Sequence, residues 1–143
     1  NLTKFTVDKL VHTKRKIIFD ILSNFENFQK ILPQHFPSIR VRSTRGNISV
    51  VEEHLMLGDM ELVVMAKHVI QEPSLHEIFI IGGDAKGSHI FQQFIEHSEG
   101  TKILVDVDLK LPGKMKLSGL FGNSAVEENY TKILDDFIKI AEI

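Results

Sequence analysis

The stretch TKILVDVDLK LPGKMKLSGLFGN SAVEENYTKILDDFIKIAEI, residues 101–143, places a strand, a connector and a long helix in direct succession. In its first ten residues Ile103, Val105, Val107 and Leu109 alternate with Lys102, Asp106 and Asp108. That period of two marks a strand with one buried face. Residues 111–123 hold Pro112, Gly113, Gly119 and Gly122 and read as an irregular loop. Ser124 and Glu127 then have capping-box spacing, and Val126, Tyr130, Ile133, Leu134, Phe137 and Ala141 fall on one helical face. A strand and a helix with one apolar face each must bury those faces against a common core.

Toward the N-terminus the period of two continues. Five further strands are expected at 38–44, 47–57, 60–71, 75–83 and 87–97. Arg45-Gly46-Asn47, Gly58-Asp59, Glu72-Pro73-Ser74, Gly82-Gly83-Asp84 and Glu99-Gly100 separate them as hairpin turns. Earlier still, Phe5-Thr6-Val7 reads as a first strand. Thr13 is the expected N-cap of a helix carrying Ile17, Ile18, Ile21 and Leu22. Asn24 can cap a second short helix with Phe25, Phe28, Ile31 and Leu32, stopped by Pro33. The predicted fold is therefore α+β: a curved antiparallel sheet of about seven strands wrapped on a long C-terminal helix, with two short helices after the first strand. Residues 1–143 are expected to form one domain.

Composition narrows the function classes. The 17 Lys and Arg against 19 Asp and Glu give a formal charge of −2, with 43% hydrophobic residues. No basic stripe follows phosphates, so nucleic acid is not an expected partner. The absence of cysteine excludes disulfides, thiolate catalysis and cysteine-ligated metals. No apolar run has the length of a membrane span and no export signal is read, so a cytoplasmic location is expected. Seven histidines could carry the charge from −2 to +5 on full protonation, which makes their placement informative.

The order of elements, with Asn24-Phe25-Glu26-Asn27-Phe28 leading to Ile31-Leu32-Pro33, the Gly100-Thr101-Lys102 turn and the closing helix, resembles the START-related superfamily. That superfamily includes birch-pollen-allergen-like proteins and polyketide cyclases. The resemblance covers nearly the whole chain, but Thr44-Arg45-Gly46-Asn47 is a tight turn where the allergens have a glycine-rich loop. It implies the helix-grip fold, one START-like ligand-binding domain over residues 1–143 and a cavity for an apolar ligand between the sheet and the long helix, and it brings cyclases, dehydratases and coenzyme Q-binding-like proteins into consideration.

Carrying strand parity back through the hairpins assigns the cavity-facing residues, since a slip of one residue flips a strand. If His97 pairs with Thr101, then His89, Phe91, Gln93 and Ile95 point inward with Val105. Next come His76, Ile78 and Ile80, then Leu62, Val64, Ala66 and His68, then Ile48, Val50, Glu52 and His54. The rival register would bury Lys67, Glu77 and Glu96, and unpaired buried charges cost several kcal/mol each. The expected outer face then shows Val63, Met65, Phe79, Ile81, Ile90 and Phe94, an apolar patch suited to self-association, a partner or a membrane surface.

The polar inward set suggests three chemistries. His68, His76 and His89 could ligate zinc, although no compact ligand spacing supports it. Glu52, His54 or His68 could act as a buried acid or base. All of them, with Val64, Ile78, Phe91, Gln93, Val105, Tyr130 and Leu134, could simply hold a ligand. Met115, Leu117, Leu120 and Phe121 give the connector apolar surface that a lid over the cavity would use. Ser88 beside His89 faces the opposite side of its strand, which argues against a serine nucleophile. Gly83–Ser88 lacks phosphate-loop spacing. The favoured reading is binding, with possible transport, of a lipid, isoprenoid or polyketide-like molecule without a cofactor. A cyclase or dehydratase and a partner-binding or assembly protein are the alternatives.

Overall fold

The computed structural model describes residues 2–113 and 123–143. Strand β1 (Leu2–Val11) is followed by helix α1 (Arg15–Ser23), a 3-10 turn (Phe25–Asn27) and helix α2 (Phe28–Ile31). Strands β2 (Ser38–Arg45), β3 (Ile48–Leu57), β4 (Met60–Gln71), β5 (Leu75–Gly83), β6 (His89–His97) and β7 (Gly100–Lys110) come next, and helix α3 (Asn123–Ala141) closes the chain. The seven strands form one antiparallel sheet in the order β1-β7-β6-β5-β4-β3-β2. This is the expected helix-grip fold. Ser124 lies inside α3 rather than capping it, and α1 is capped by Lys14 without a side-chain bond.

The core lies where the inward sheet face meets α1 and α3. Val126, Ile133, Leu134 and Phe137 present the stripe of α3, against Val7, Val11, Val51, Ile103 and Val105 of the sheet. Each fully buried side chain of this kind contributes roughly 1.5–3 kcal/mol. Polar ties hold the helix in place: Lys9 pairs with Asp135 at 3.0 Å, His35 with Asp136 at 2.6 Å, and the His12 amide donates to Glu142 at 2.8 Å.

Register decides which side chains reach the interior, and here the structure corrects two strands. Leu57 pairs with Met60 across Gly58-Asp59, so the odd residues of β3 share a face with the even residues of β4. Ser49, Val51, Glu53 and Leu57 are buried, whereas Ile48 is exposed and Val50, Glu52 and His54 lie on the outer side. His97 pairs with Gly100 rather than Thr101, which turns Ile90, Gln92 and Phe94 inward and His89, Phe91, Gln93 and Ile95 outward. Gly100 sits at φ 142, where an added Cβ would collide with the Val11 carbonyl. The connection from β5 to β6, with Ala85 at φ 62, absorbs the extra residue. Strands β4 and β5 therefore keep the expected faces: Leu62, Val64, Ala66, His68, His76 and Ile80 are buried. Lys67 stays outside over the Phe79 ring, and Glu77 stays outside bonded to His89. Glu96 shares the inward parity but stands exposed at the strand end, 3.5 Å from Arg15.

Candidate functional site

Between the sheet and α3 lies a cavity of about 80 Å³. Its walls are mostly apolar, from Phe28, Phe36, Leu55, Val64, Ile78, Ile80, Ile90, Leu134 and Phe137. Three polar side chains also reach it: Glu53, Gln92 and Tyr130. Small-molecule sites typically span roughly 300–1,000 Å³, so the core's own side chains fill most of this space.

Behind the wall runs a buried polar chain. Glu53 Oε2 lies 2.6 Å from His68 Nε2, His68 Nδ1 lies 2.7 Å from His76 Nε2, and His76 Nδ1 lies 2.8 Å from Gln92 Oε1. Four strands supply the chain: β3 gives Glu53, β4 His68, β5 His76 and β6 Gln92. The Phe25 ring covers His68 at 4.6 Å between centroids, and the two imidazoles stack at 5.0 Å. Both histidines are wholly buried.

The chain's protons can be counted. An amide oxygen only accepts, so His76 donates from Nδ1 to Gln92. Burial, reinforced by the neighbouring His68 charge and opposed by the Gln92 bond, pushes His76 down to about 3, so it is neutral and its Nε2 accepts. His68 therefore donates from Nδ1. Its contact with Glu53 then requires one proton between Nε2 and Oε2, on either residue, and the pair is neutral overall. At the far end Gln92 and Tyr130 both line the cavity, and burial pushes the Tyr130 phenol up to about 12, so its O–H keeps its proton. Both ends of the chain open on the cavity. This arrangement can present a hydrogen-bond acceptor at Glu53, a donor at Tyr130, and one mobile proton.

The structure brings together some of the residues expected from sequence. Val64, Ile78, Tyr130 and Leu134 line the cavity, and His68 and His76 stand directly behind it. Val105 is buried in the core away from the cavity wall. Glu52 instead faces Arg42 at 3.6 Å on the outer side, and His54 bonds Glu61 there at 3.2 Å. His89, Phe91 and Gln93 lie on the outer face, where His89 stacks on Phe79. Zinc ligation by His68, His76 and His89 is not assembled, because His89 is on the other side of the sheet. Among the described residues no group of three or more His, Asp or Glu is arranged to hold a metal ion. The outer patch keeps Val63, Met65, Phe79 and Ile81 but loses Ile90 and Phe94, which are 8% and 1% exposed and belong to the core. Met115, Leu117, Leu120 and Phe121 fall outside the described residues. Sequence reading missed Glu53 and Gln92. A strict two-residue count at Gly58-Asp59 points to Glu53, since it also puts Val51, Leu55 and Leu57 on the inward face.

A family model described as polyketide cyclase / dehydrase and lipid transport matches residues 14–138. The chain belongs to that family. No curated protein matches the sequence. Among solved structures, this chain is similar to TTHA0849 from Thermus thermophilus, at TM-score 0.78 and 12% identity over 97% of this chain and 94% of that one. The Zhui aromatase/cyclase from Streptomyces sp. R1128 gives TM-score 0.74 and 12% identity over 99% and 93%. Ginseng major latex-like protein 151 from Panax ginseng gives 0.77 and 9% over 98% and 97%. At these identities the likeness is one of fold. No helix among the described residues is long and apolar enough to cross a membrane.

Proposed function

We propose that this chain binds a hydrophobic small molecule between the sheet and α3, with its polar end at Glu53. The observation that carries the reading is the cavity itself: apolar walls on most sides, and three polar side chains converging on one space. The relay uses one oxygen of Glu53 and the oxygen of Gln92, which leaves Glu53 Oε1, the Gln92 amide N–H and the Tyr130 O–H to pair with a ligand in that space. The small size of the cavity implies that a lipid-sized ligand enters by displacing α3 or the side chains of α2, with affinity from apolar burial at about 25 cal/mol per Å². The family description, which includes lipid transport, supports a ligand of this class. Native mass spectrometry with organic extraction of the freshly purified protein tests it. A stoichiometric apolar molecule is the expected result, and a clean apo protein that takes up no apolar ligand on titration refutes the reading.

A second reading, acid–base catalysis of the cyclase or dehydratase type, is favoured by one observation. Glu53 and His68 share a single proton at 2.6 Å beside the cavity. General acid–base groups of this kind contribute about 10²–10⁴-fold. With the extracted compound as substrate, Glu53→Gln should lower turnover by about that factor with little loss of binding. Absence of any turnover in the wild type leaves binding as the activity.

A further inference from the structure

The chemical class of the ligand's polar end can be read from the donors and acceptors in the cavity, an inference that rests on the binding reading above. Glu53 is 6% exposed, and the one hydrogen bond of its side chain among the described residues joins Oε2 to His68 Nε2. Every fully enclosed side-chain oxygen or nitrogen among the described residues has a partner, and Glu53 lines the cavity, so its second oxygen Oε1 faces that open space. Oε1 is an acceptor whichever residue of the pair carries the proton on the other side. At the opposite pole the Tyr130 O–H and the Gln92 amide N–H line the cavity and can donate into it.

Charged head groups fit poorly. No Lys, Arg or His side chain lines the cavity among the described residues. A carboxylate or phosphate would therefore sit beside Glu53 with no cation to offset it. An ammonium group fares no better, since the Glu53–His68 pair already holds its neutralising proton and offers no net negative charge. A ketone accepts only, and leaves Oε1 unpaired. A hydroxyl both donates and accepts, as the two poles require.

We propose that the ligand is an uncharged apolar alcohol whose hydroxyl donates to Glu53 Oε1 and accepts from the Tyr130 O–H. Titration of 1-hexanol, 2-hexanone, hexanoate and hexylammonium, followed by NMR of the labelled protein, tests this. The four share a six-carbon chain, so differences in affinity report the head group. Hexanol is expected to bind most tightly, with the others about tenfold weaker or worse, and Glu53→Leu and Tyr130→Phe each to erase the preference. Equal or tighter binding of hexanoate, hexylammonium or hexanone overturns the alcohol assignment while leaving the cavity as a binding site. If none of the four binds, the extracted native molecule decides: an alcohol supports the assignment and an acid, amine or ketone refutes it. No binding and no co-purified molecule refutes both the assignment and the binding reading.

Discussion

The buried position of His76 makes the protein's stability depend on pH in a way that one substitution should remove. Its ordinary value of 6.5 is pushed down to about 3, chiefly by burial. In the unfolded chain His76 takes up a proton as the pH falls below 6.5, and in the folded chain it does not until about 3. The unfolded state then binds more protons, so stability is full above pH 6.5 and falls through the window from 6.5 toward 3. The slope is about 1.4 kcal/mol per pH unit, which makes the loss from this one group about 3 kcal/mol between pH 7 and 4.5. His76→Gln removes the titration. It also breaks the bonds to His68 and Gln92, and should cost about 1–3 kcal/mol at pH 7. Urea denaturation of both proteins at pH 7, 6, 5 and 4.5 is the assay, because groups common to both cancel in the difference. The variant's deficit should shrink by about 3 kcal/mol across that range. A deficit independent of pH, or a His76 ring that titrates between pH 7 and 5 by NMR, would refute the proton count on which the neutral relay rests.

Further predictions follow from register and burial. Phe94→Ala should destabilise by about 3–5 kcal/mol, and Phe91→Ala, on the outer face three residues away, by about 1 kcal/mol or less. Comparable costs in chemical denaturation would reject the β6 register. Tyr130 is the one tyrosine and there is no tryptophan, so the phenolate absorbance reports a single group. With its phenol pushed up to about 12, the folded protein should show no phenolate near pH 10. Stability should fall as the pH rises from 10 toward 12, since the unfolded state loses that proton first. A half-developed phenolate band at pH 10 in folded protein would contradict this placement. Gly100→Ala should lower the melting temperature by several degrees, because neither the backbone angle nor the Val11 carbonyl leaves room for a Cβ. An unchanged melting temperature would show that the hairpin tolerates another conformation.

The fold was legible because its signals are redundant. Each strand carries several alternating residues, and the α3 stripe from Val126 to Ala141 spans about four turns, so one ambiguous position changes nothing. Inward alternation in β7 rests on four apolar residues set against charged ones, and parity carried from it gives the right face for β4 and β5 and the wrong one for β6 and β3. The interior polar residues had no such redundancy. In β6 the odd set His89, Phe91, Gln93 and Ile95 is as apolar as the even set Ile90, Gln92 and Phe94, so periodicity is silent and only the turns can choose.

Turn arithmetic therefore determines the site. Two connections, β5–β6 and β6–β7, each differ by one residue from the expected pairing, and the two shifts cancel at β5. That cancellation is why His76 and His68 were placed correctly while Gln92, lying between the two shifts, was not. At β3 there is no second shift to compensate, and the tight Gly58-Asp59 turn moves the inward carboxyl group from Glu52 to Glu53. The charge argument pointed the wrong way for a physical reason. It assumed that β4, β5 and β6 must flip together and bury Lys67 and Glu77, whereas the connection before β6 lets that strand flip alone. Its own charge, Glu96, escapes at the strand end beside Arg15. A buried carboxyl group, two imidazoles and an amide on four adjacent strands meet within hydrogen-bond distance only when all three intervening pairings are correct. The same precision that hides this relay from periodicity is what the structure spends its turn residues to secure.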